Sequence, residues 1–561
     1  MTDTKNQLLI QVTKDYIEEL KKNNLKPSIK EMESSIISRQ TQLIIKRNTY
    51  ESDDGKKHKR QDAWTIPEYL NPYQIATILN YRYVIVKIID ESSMGDEDAG
   101  ILAIYNEDGI NEGIYTTYTT TLRAVVQKLN CTISDRGFKE VLNILKALVE
   151  TKTICHEKNL ICVGNGIIDY ETKKLLPYTS EKIFVSKIKV HYKDNPTNPI
   201  ITNPDNTTWD VETWFESLSD DKEVIELLWK IVGAMIRPNV DWNKSAWFYS
   251  TVGNNGKGTL CTLLRNLCGN NSYVSIPLNR FSTDALLVPL LHATAIITDE
   301  NDVGTFIDQA ANLKAIITGD PISVNPKYNP AFTFRFNGFM VQCVNEFPRI
   351  KDASSSMLRR LLIIPFEKNF NGKERTYIKS DYLNRDEVLE YVLYKVVNLP
   401  SYYSLEDTTT TKSVLKSYTQ YNDSVAQFWH EFKDDFTWDL LPFTFLYDLY
   451  KAWFKDTTPQ GKVLSKLKFI EQLLQALEKD DDTLFICEDK SKQIKTSDKM
   501  DKPETLIYQY KLTNWLNPNV KTNDIVKLST LANKSNSYRG LVKDENLKIL
   551  AKIENDNEKT T

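Results

Sequence analysis

Apolar residues occur along this chain in two kinds of run, and their alternation predicts an α/β protein. Short continuous runs read as buried strands: Ala246-Trp247-Phe248-Tyr249, Ala295-Ile296-Ile297-Thr298, Phe339 to Val344 and Leu361 to Phe366. Between them, apolar residues recur at helical spacing. Leu260, Leu263, Leu264 and Leu267 fall on one face, with Gly269 as a stop. Phe306, Ala310, Leu313 and Ile317 make another such stripe, carrying Lys314 beside it. Towards the N-terminus, residues 1–46 predict two helices, the first with Leu9, Val12, Tyr16 and Leu20 on its stripe. Tyr83 to Val86 and Ile101 to Ile104 predict strands, and residues 121–150 a helical stretch. Cys162 to Asp169 predicts a turn between two strands, with Leu175 to Tyr178 next along the chain. Trp214 to Met235 predicts a helical collar, preceded by a proline- and asparagine-rich boundary at 194–206.

These patterns divide the chain into a helical segment and linker (1–60), an α/β region (61–205), a central α/β domain with its collar (206–400) and a C-terminal domain with tail (415–561). A length of 561 residues agrees with such a multidomain chain. Hydrophobic residues at 41% and charged residues at 26% describe a protein with an ample core. The net charge of -4 advertises no global basic field, so any nucleic-acid surface must be local. The polar stretch from Lys46 to Arg60 has the basic residues to touch a phosphate backbone, but a hydrated linker is the better account. Cys131, Cys155, Cys162, Cys261, Cys268, Cys343 and Cys487 are scattered, with no pair at a two-residue gap and no histidine at ligand spacing. Zinc is therefore not expected, and buried reduced thiols of a cytoplasmic protein are the better account. The charged N-terminus lacks an apolar core of signal-peptide type, and no run reaches membrane-spanning length.

The segment Gly253-Asn254-Asn255-Gly256-Lys257-Gly258-Thr259 carries the most specific chemistry. It sits between a buried strand and an amphipathic helix, the setting in which a glycine-rich loop cradles phosphates. Backbone N–H groups approach the oxygens, the helix N-terminus adds positive charge, and Lys257 reaches the β/γ-phosphates. The match is imperfect. Thr251 stands where the first glycine of the strict pattern falls, and Gly258 replaces the Mg²⁺-binding hydroxyl, leaving Thr259 as the nearest one.

A nucleotide hydrolase also needs an acidic strand end. Ala295 to Thr298 runs into Asp299-Glu300, which assigns Asp299 to Mg²⁺ and Glu300 to the attacking water, against the bland reading of a surface acidic pair. Phe339 to Val344 ends in Asn345, an amide placed to sense the γ-phosphate or hold that water. Arg359 and Arg360 precede the strand Leu361 to Phe366. They are either solvated residues or an arginine finger reaching a neighbouring subunit's nucleotide, with Arg360 slightly preferred because it abuts the strand.

In this order the loop, the Asp-Glu strand, LKAIITGD, NEFP and RRLLIIPF resemble superfamily 3 helicases. More narrowly they resemble the helicase half of the phage and plasmid primase–helicase family, including the replication-initiator helicases of staphylococcal chromosomal cassettes and pathogenicity islands. NGIIDYETKKLLPY and the Trp214 to Pro238 helices resemble that family's pre-helicase region. The resemblance covers residues 95–480 and thins towards the N-terminus. It implies an AAA+-like P-loop core, ATP and Mg²⁺ as cofactors, a homo-hexameric ring, 3′-to-5′ movement on one DNA strand, and replication proteins as partners. No paired-aspartate strand is visible in the first 90 or so residues, so the primase half of the family's activity is not expected.

Alternation in Ile322 to Asn325 and Phe332 to Phe336 predicts a hairpin tipped by Pro326-Lys327-Tyr328-Asn329-Pro330. In superfamily 3 proteins such a hairpin projects into the ring channel. Lys327 is then the candidate phosphate grip and Tyr328 a stacking platform, the alternative being a lysine in a solvent turn. Downstream, helices over 443–454 and 463–477 precede strands at 484–487 and 506–510, with Lys490, Lys492, Lys495, Lys499 and Lys502 between the strands. That order predicts a winged helix, with Lys462, Lys466 and Lys468 at the start of its recognition helix; such modules also bind proteins. The expected function is an ATP-driven DNA helicase that initiates replication of a mobile element. Two rivals stand beside it: a packaging or remodelling ring ATPase, and a non-catalytic origin-binding initiator that recruits a host helicase. The hairpin and winged helix argue against the first, whereas Gly258 favours the second.

Overall fold

The computed structural model describes residues 2–51, 57–89, 100–325, 332–352, 354–459, 461–478, 480, 482–521, 524–532 and 534–544. Its centre is a five-stranded parallel sheet built from the strongly apolar runs. The strands are β1 (Ser245–Tyr249), β2 (Tyr273–Val274), β3 (Ala295–Thr298), β4 (Phe339–Val344) and β5 (Leu361–Pro365). Their spatial order is β2-β3-β4-β1-β5. β3, β4 and β5 are buried along their whole length, as a parallel sheet covered on both faces demands. Helix α1 (Lys257–Cys268) comes after β1 and lays Leu260, Leu263, Leu264 and Leu267 onto one face of the sheet. The collar comprises Val211–Glu216 and Lys222–Met235, each begun by an aspartate cap, Asp210 and Asp221.

Two expected boundaries dissolve into shared cores. The helices Thr2–Lys22 and Ile29–Asn48 put Tyr16, Ile17, Leu20, Met32 and Ile36 into one cluster with Ile75, Leu79, Leu102, Phe138 and Leu145. The two helices thus share a core with the region that follows them. The stretch read as a linker contains a ladder pairing Thr49–Glu51 with Lys57–Lys59. Further on, Ile161, Val163, Ile168, Ile188 and Val190 pack with the collar and α1, so a cut at residue 205 crosses a continuous core. Periodicity finds elements; which of them share a core is decided by contacts distant in sequence.

Between β3 and β4, strands Ile322–Val324 and Phe332–Phe334 pair antiparallel with Ile322 opposite Phe334. The expected hairpin is therefore present, and its tip, with Lys327 and Tyr328, lies outside the described residues. One expected stripe is corrected. The helix bearing Leu313 and Ile317 begins only at Ala311, and Phe306 belongs to a short strand, Phe306–Ile307, paired with Arg349–Ile350.

The C-terminal region runs α2 (Ser424–Phe432), β6 (Leu440–Pro442), α3 (Phe443–Thr457), α4 (Lys466–Glu478) and β7 (Phe485–Ile486) before closing with β8 (Gly540–Lys543). β8 lies between β6 and β7, antiparallel to both. Leu506–Gln509, expected as the second wing strand, is a helical turn with Leu506 and Ile507 buried. The strand that completes this sheet stands about thirty residues later. Behind the sheet Trp429 donates its indole N–H to Asp480 at 2.9 Å, and Lys433 pairs with the same carboxylate at 2.8 Å. No helix among the described residues is long and apolar enough to cross a membrane.

Candidate functional site

Parallel strands deliver every C-terminal end to one edge, and ligands in such sheets bind outside that edge. Here the edge carries Ser250 after β1, Asp299 after β3 and Asn345 after β4. The loop between β1 and α1 turns sharply. Asn254 has φ +54° and Gly256 φ +93°, left-handed values that asparagine and glycine tolerate best. A Cβ on Gly256 would also sit 2.7 Å from Leu218 in the collar.

Lys257 is buried at 6% exposure, at the first turn of α1. Its ammonium donates to the carbonyls of Ser250 and Val344 at 3.2 Å each and to Asn345 Oδ1 at 2.8 Å. Burial lowers its pKa from the usual lysine value, with the Cys343, Cys261 and Asp299 groups nearby acting in the opposite sense. The lysine is thus folded against acceptors that a phosphate oxygen can replace.

Gly258 faces the acidic strand end: a Cβ built there would lie 3.2 Å from Asp299 Oδ1 and 3.6 Å from Lys379 Nζ. The position that ordinarily carries a hydroxyl therefore abuts the carboxylate across little more than an atom's width. Asp299 is half-buried and approaches Arg265 at 3.4 Å. Behind it, Cys261 of α1 and Cys343 of β4 place their sulfurs 3.3 Å apart. The hydrogen bond it shares with Cys261, together with burial, raises the Cys343 thiol well above its usual pKa. Glu300 is exposed.

A cleft of about 1040 Å³ gathers these groups. Gly253 to Thr259, Asp299, Glu300 and Asn345 line one side. The other side consists of residues that motif reading misses: Trp209, Asp210 and Thr213 from the collar, and Arg375, Tyr377 and Lys379 after β5. The segment after β5 is tied to the loop, since Phe370 N–H donates to Asn254 O at 2.8 Å and Asn254 Nδ2 reaches Glu374 Oε1 at 3.1 Å. Their only sequence signal is chain order, because the segment leaving the edge strand has to return over the loop. A buried amide network is missed as well. Asn301 donates to Gln342 Oε1 and Cys343 O, each at 3.0 Å, and its Oδ1 accepts from Leu278 N–H at 2.8 Å. It fixes the turn that bears Asp299 and Glu300.

Arg359 and Arg360 stand apart from the cleft. Leu361 pairs with Ser245, so the doublet lies at the N-terminal edge of the sheet, the length of a strand from its own loop. Arg359 is exposed, whereas Arg360 binds Ser356 through the backbone carbonyl and, at 2.8 Å, through Oγ. Lys314 pairs with Asp352 at 2.6 Å. In the C-terminal region Lys466 opens α4 half-buried, and Lys462 forms an ion pair with Asp308. That pair joins the helical pair α3–α4 to the segment that precedes the Ala311–Thr318 helix.

Comparison with known proteins gives three matching family models. Residues 84–224 match "D5 N terminal like", residues 420–511 match "Poxvirus D5 protein-like", and residues 248–360 match a family of unknown function, DUF5906. Among solved structures, the apo C-terminal region of NrS-1 aligns at 14% identity and TM-score 0.38, covering 73% of this chain and 90% of that one. A second apo form of that region aligns at 12% identity and TM-score 0.37 over 84% of this chain and 100% of the other. The two D5-type models, one on each side of the segment 248–360, support a likeness of the chain to the phage and viral primase–helicase family.

Proposed function

We propose that the protein is an ATP-driven, ring-forming DNA helicase that starts replication of a mobile genetic element. The D5-type families whose models it matches point to a replication, helicase-type function, and the finer reading rests on one observation: Lys257, Asn345 and Asp299 converge at the C-terminal edge of a parallel sheet, around one cleft.

In this reading the loop from Gly253 to Thr259 holds the triphosphate, and Lys257 exchanges its carbonyl partners for the β/γ-oxygens. The residues fit Mg²⁺: Asp299 borders the loop at Gly258, and Thr259 lines the same cleft. Bound there, the ion supplies positive charge to the phosphates. Glu300 orients the attacking water from its exposed position at the cleft, and Asn345 holds that water or the γ-phosphate. Arg359 or Arg360, too far along the sheet to serve their own loop, reach the next subunit's nucleotide. Lys327 and Tyr328 grip single-stranded DNA in the channel, with movement 3′-to-5′. The order α2-β6-α3-α4-β7-β8 supports a winged helix that presents Lys466, and Lys462 once freed from Asp308, to duplex DNA.

Gly258 favours one other reading, a non-catalytic initiator, because the loop lacks its usual hydroxyl. A forked DNA duplex with ATP and Mg²⁺ separates the two. Unwinding of the 3′-tailed fork by wild-type protein is expected, together with DNA-stimulated ATPase, and Glu300→Gln should bind nucleotide without turning it over. Absence of both activities in the wild type would leave the initiator reading.

A further inference from the structure

Three metal-ligating groups meet beneath the nucleotide cleft. The ligand atoms of Cys261, Cys343 and Asp299 all lie within 4.8 Å of one another, and the two sulfurs are 3.3 Å apart. Nothing in the spacing of the cysteines announces this, since 82 positions separate them. The fold produces it: the cysteines sit on α1 and β4, and Thr298 pairs with Gln342, which sets Asp299 level with Cys343. We propose that Cys261, Cys343 and Asp299 form a binding site for a thiophilic divalent cation, with Zn²⁺ as the type, and that its occupation shuts off the nucleotide site.

The chemistry suits a borderline-soft cation and not Mg²⁺, which takes oxygen ligands. Two thiol protons pass to solvent, two thiolates and a carboxylate take the cation, and no electron moves. Zinc–sulfur bonds of about 2.3 Å at a tetrahedral angle put the sulfurs about 3.8 Å apart, so the pair need open by only about 0.5 Å. A water completes the tetrahedron from the side of Asp299, the one member of the three that lines the cleft. Charge balance also permits it. Three negative ligands against a divalent cation leave one net negative charge beside the Lys257 ammonium, which lies close to all three groups. Arg265, 3.4 Å from Asp299, is the one cation that competes directly for the carboxylate among the described residues.

Binding itself is independent of the proposed function; the inhibition rests on it, because it withdraws Asp299 from Mg²⁺ and pulls negative charge onto Lys257. The site joins α1 to β4 below the loop, so closing it also fixes the lysine away from phosphate.

The test titrates Co²⁺ and then Zn²⁺ into the full chain, kept reduced with a phosphine and stripped beforehand with chelator. One Co²⁺ per chain with a thiolate charge-transfer band is expected, displaced by Zn²⁺. Cys261→Ala and Cys343→Ala should each weaken Co²⁺ binding by at least about 100-fold. ATP hydrolysis by the wild type should fall about tenfold or more at one equivalent of Zn²⁺ and return with chelator, while both alanine variants hydrolyse ATP unimpeded by it. The band's intensity in the wild type counts thiolates without any variant: two support the site, and any other number overturns it. Undiminished Co²⁺ binding in either variant overturns it too. A two-thiolate band in a chain without ATPase would refute the helicase reading and leave the metal site standing; ATPase with no band does the reverse.

Discussion

The two ends of the protein's chemistry are built in opposite ways. At the phosphate loop the key groups are contiguous or sit at strand tips, and the parallel sheet brings them together at one edge. In the C-terminal region the decisive strand, β8, comes about fifty residues after its partner β7 and closes the sheet from the far side of an insertion. Local motifs therefore announce the first site, while the second depends on a return of the chain that no window of residues contains. The first should also be brittle to single substitutions, and the second tolerant, since in the proposed function α4 spreads its DNA contacts over several lysines.

The largest effect expected is at the brittle end. Lys257→Ala removes the only ammonium buried under the loop among the described residues, and ATP turnover should be abolished, measured as steady-state phosphate release. Its folding should be little changed, because the side chain's partners are backbone carbonyls and one exposed amide. Turnover within a factor of a few of wild type would break the contrast outright.

Next in size is the arginine doublet, for which the expected loss in trans is about 10³–10⁵ in rate. Alanine at Arg359 and at Arg360, each mixed with Lys257→Ala under subunit exchange, distinguishes the two. Mixed rings contain interfaces with an intact loop facing an intact finger, so the finger's variant regains ATPase on mixing. Adjacency to the strand favours Arg360. Its bonds to Ser356, however, make Arg359 the freer group, and the mixing experiment decides between them. If neither pair recovers, the finger lies elsewhere.

Legibility in the residues divides along the same line. β3, β4 and β5 fall within a residue of their apolar runs, because a strand buried on both faces has no polar position to blur its ends. The loop, Asp299 and Asn345 are legible because strand ends carry them. Trp209, Arg375, Tyr377 and Lys379 are not, since each is unremarkable in its own segment and gains its place only when the chain folds back over the loop. Asn301 reads as an ordinary turn residue and is a buried bridge to Gln342. Phe306 falls at helical spacing by coincidence, and its true partners on the Arg349–Ile350 strand are more than forty residues away. Leu506 to Tyr510 has strand composition, yet burial of Leu506 and Ile507 on one side selects a helical turn. Gly258 is visible as a departure, but only the structure shows that it borders Asp299.

A smaller effect is expected from the tolerant end. Lys466→Ala should leave basal ATPase unchanged and lower duplex affinity modestly, with the salt dependence of binding reduced by about one counterion. The same substitution at Lys327 should instead weaken stimulation by single-stranded DNA. Fluorescence anisotropy across a salt series, with duplex and single strands side by side, separates the two surfaces. A loss of basal ATPase in either variant would tie that surface to the catalytic end.

The smallest effect concerns what holds the C-terminal sheet together. Glu504 is wholly buried, and its Oε2 accepts from Thr437 N–H at 2.9 Å and Thr437 Oγ at 3.0 Å, pinning the insertion to the strand entry before β6. Burial lifts its pKa above the ordinary 4.5, although those hydrogen bonds pull the other way. The folded state therefore holds this proton more tightly than the unfolded chain does. Its contribution to stability is fully present below pH 4.5 and is lost as pH rises from there through the raised folded value. The slope is at most about 1.4 kcal/mol per pH unit and vanishes once both states are ionised. Glu504→Gln does not titrate, and its amide oxygen can still accept from Thr437. The difference in melting temperature, glutamine minus glutamate, should therefore widen as pH rises from 4.5 and then level off. Taking the difference cancels the many other carboxylates that titrate in both proteins. A gap that stays constant with pH would mean that Glu504 ionises as easily folded as unfolded, and that the insertion is held by packing alone.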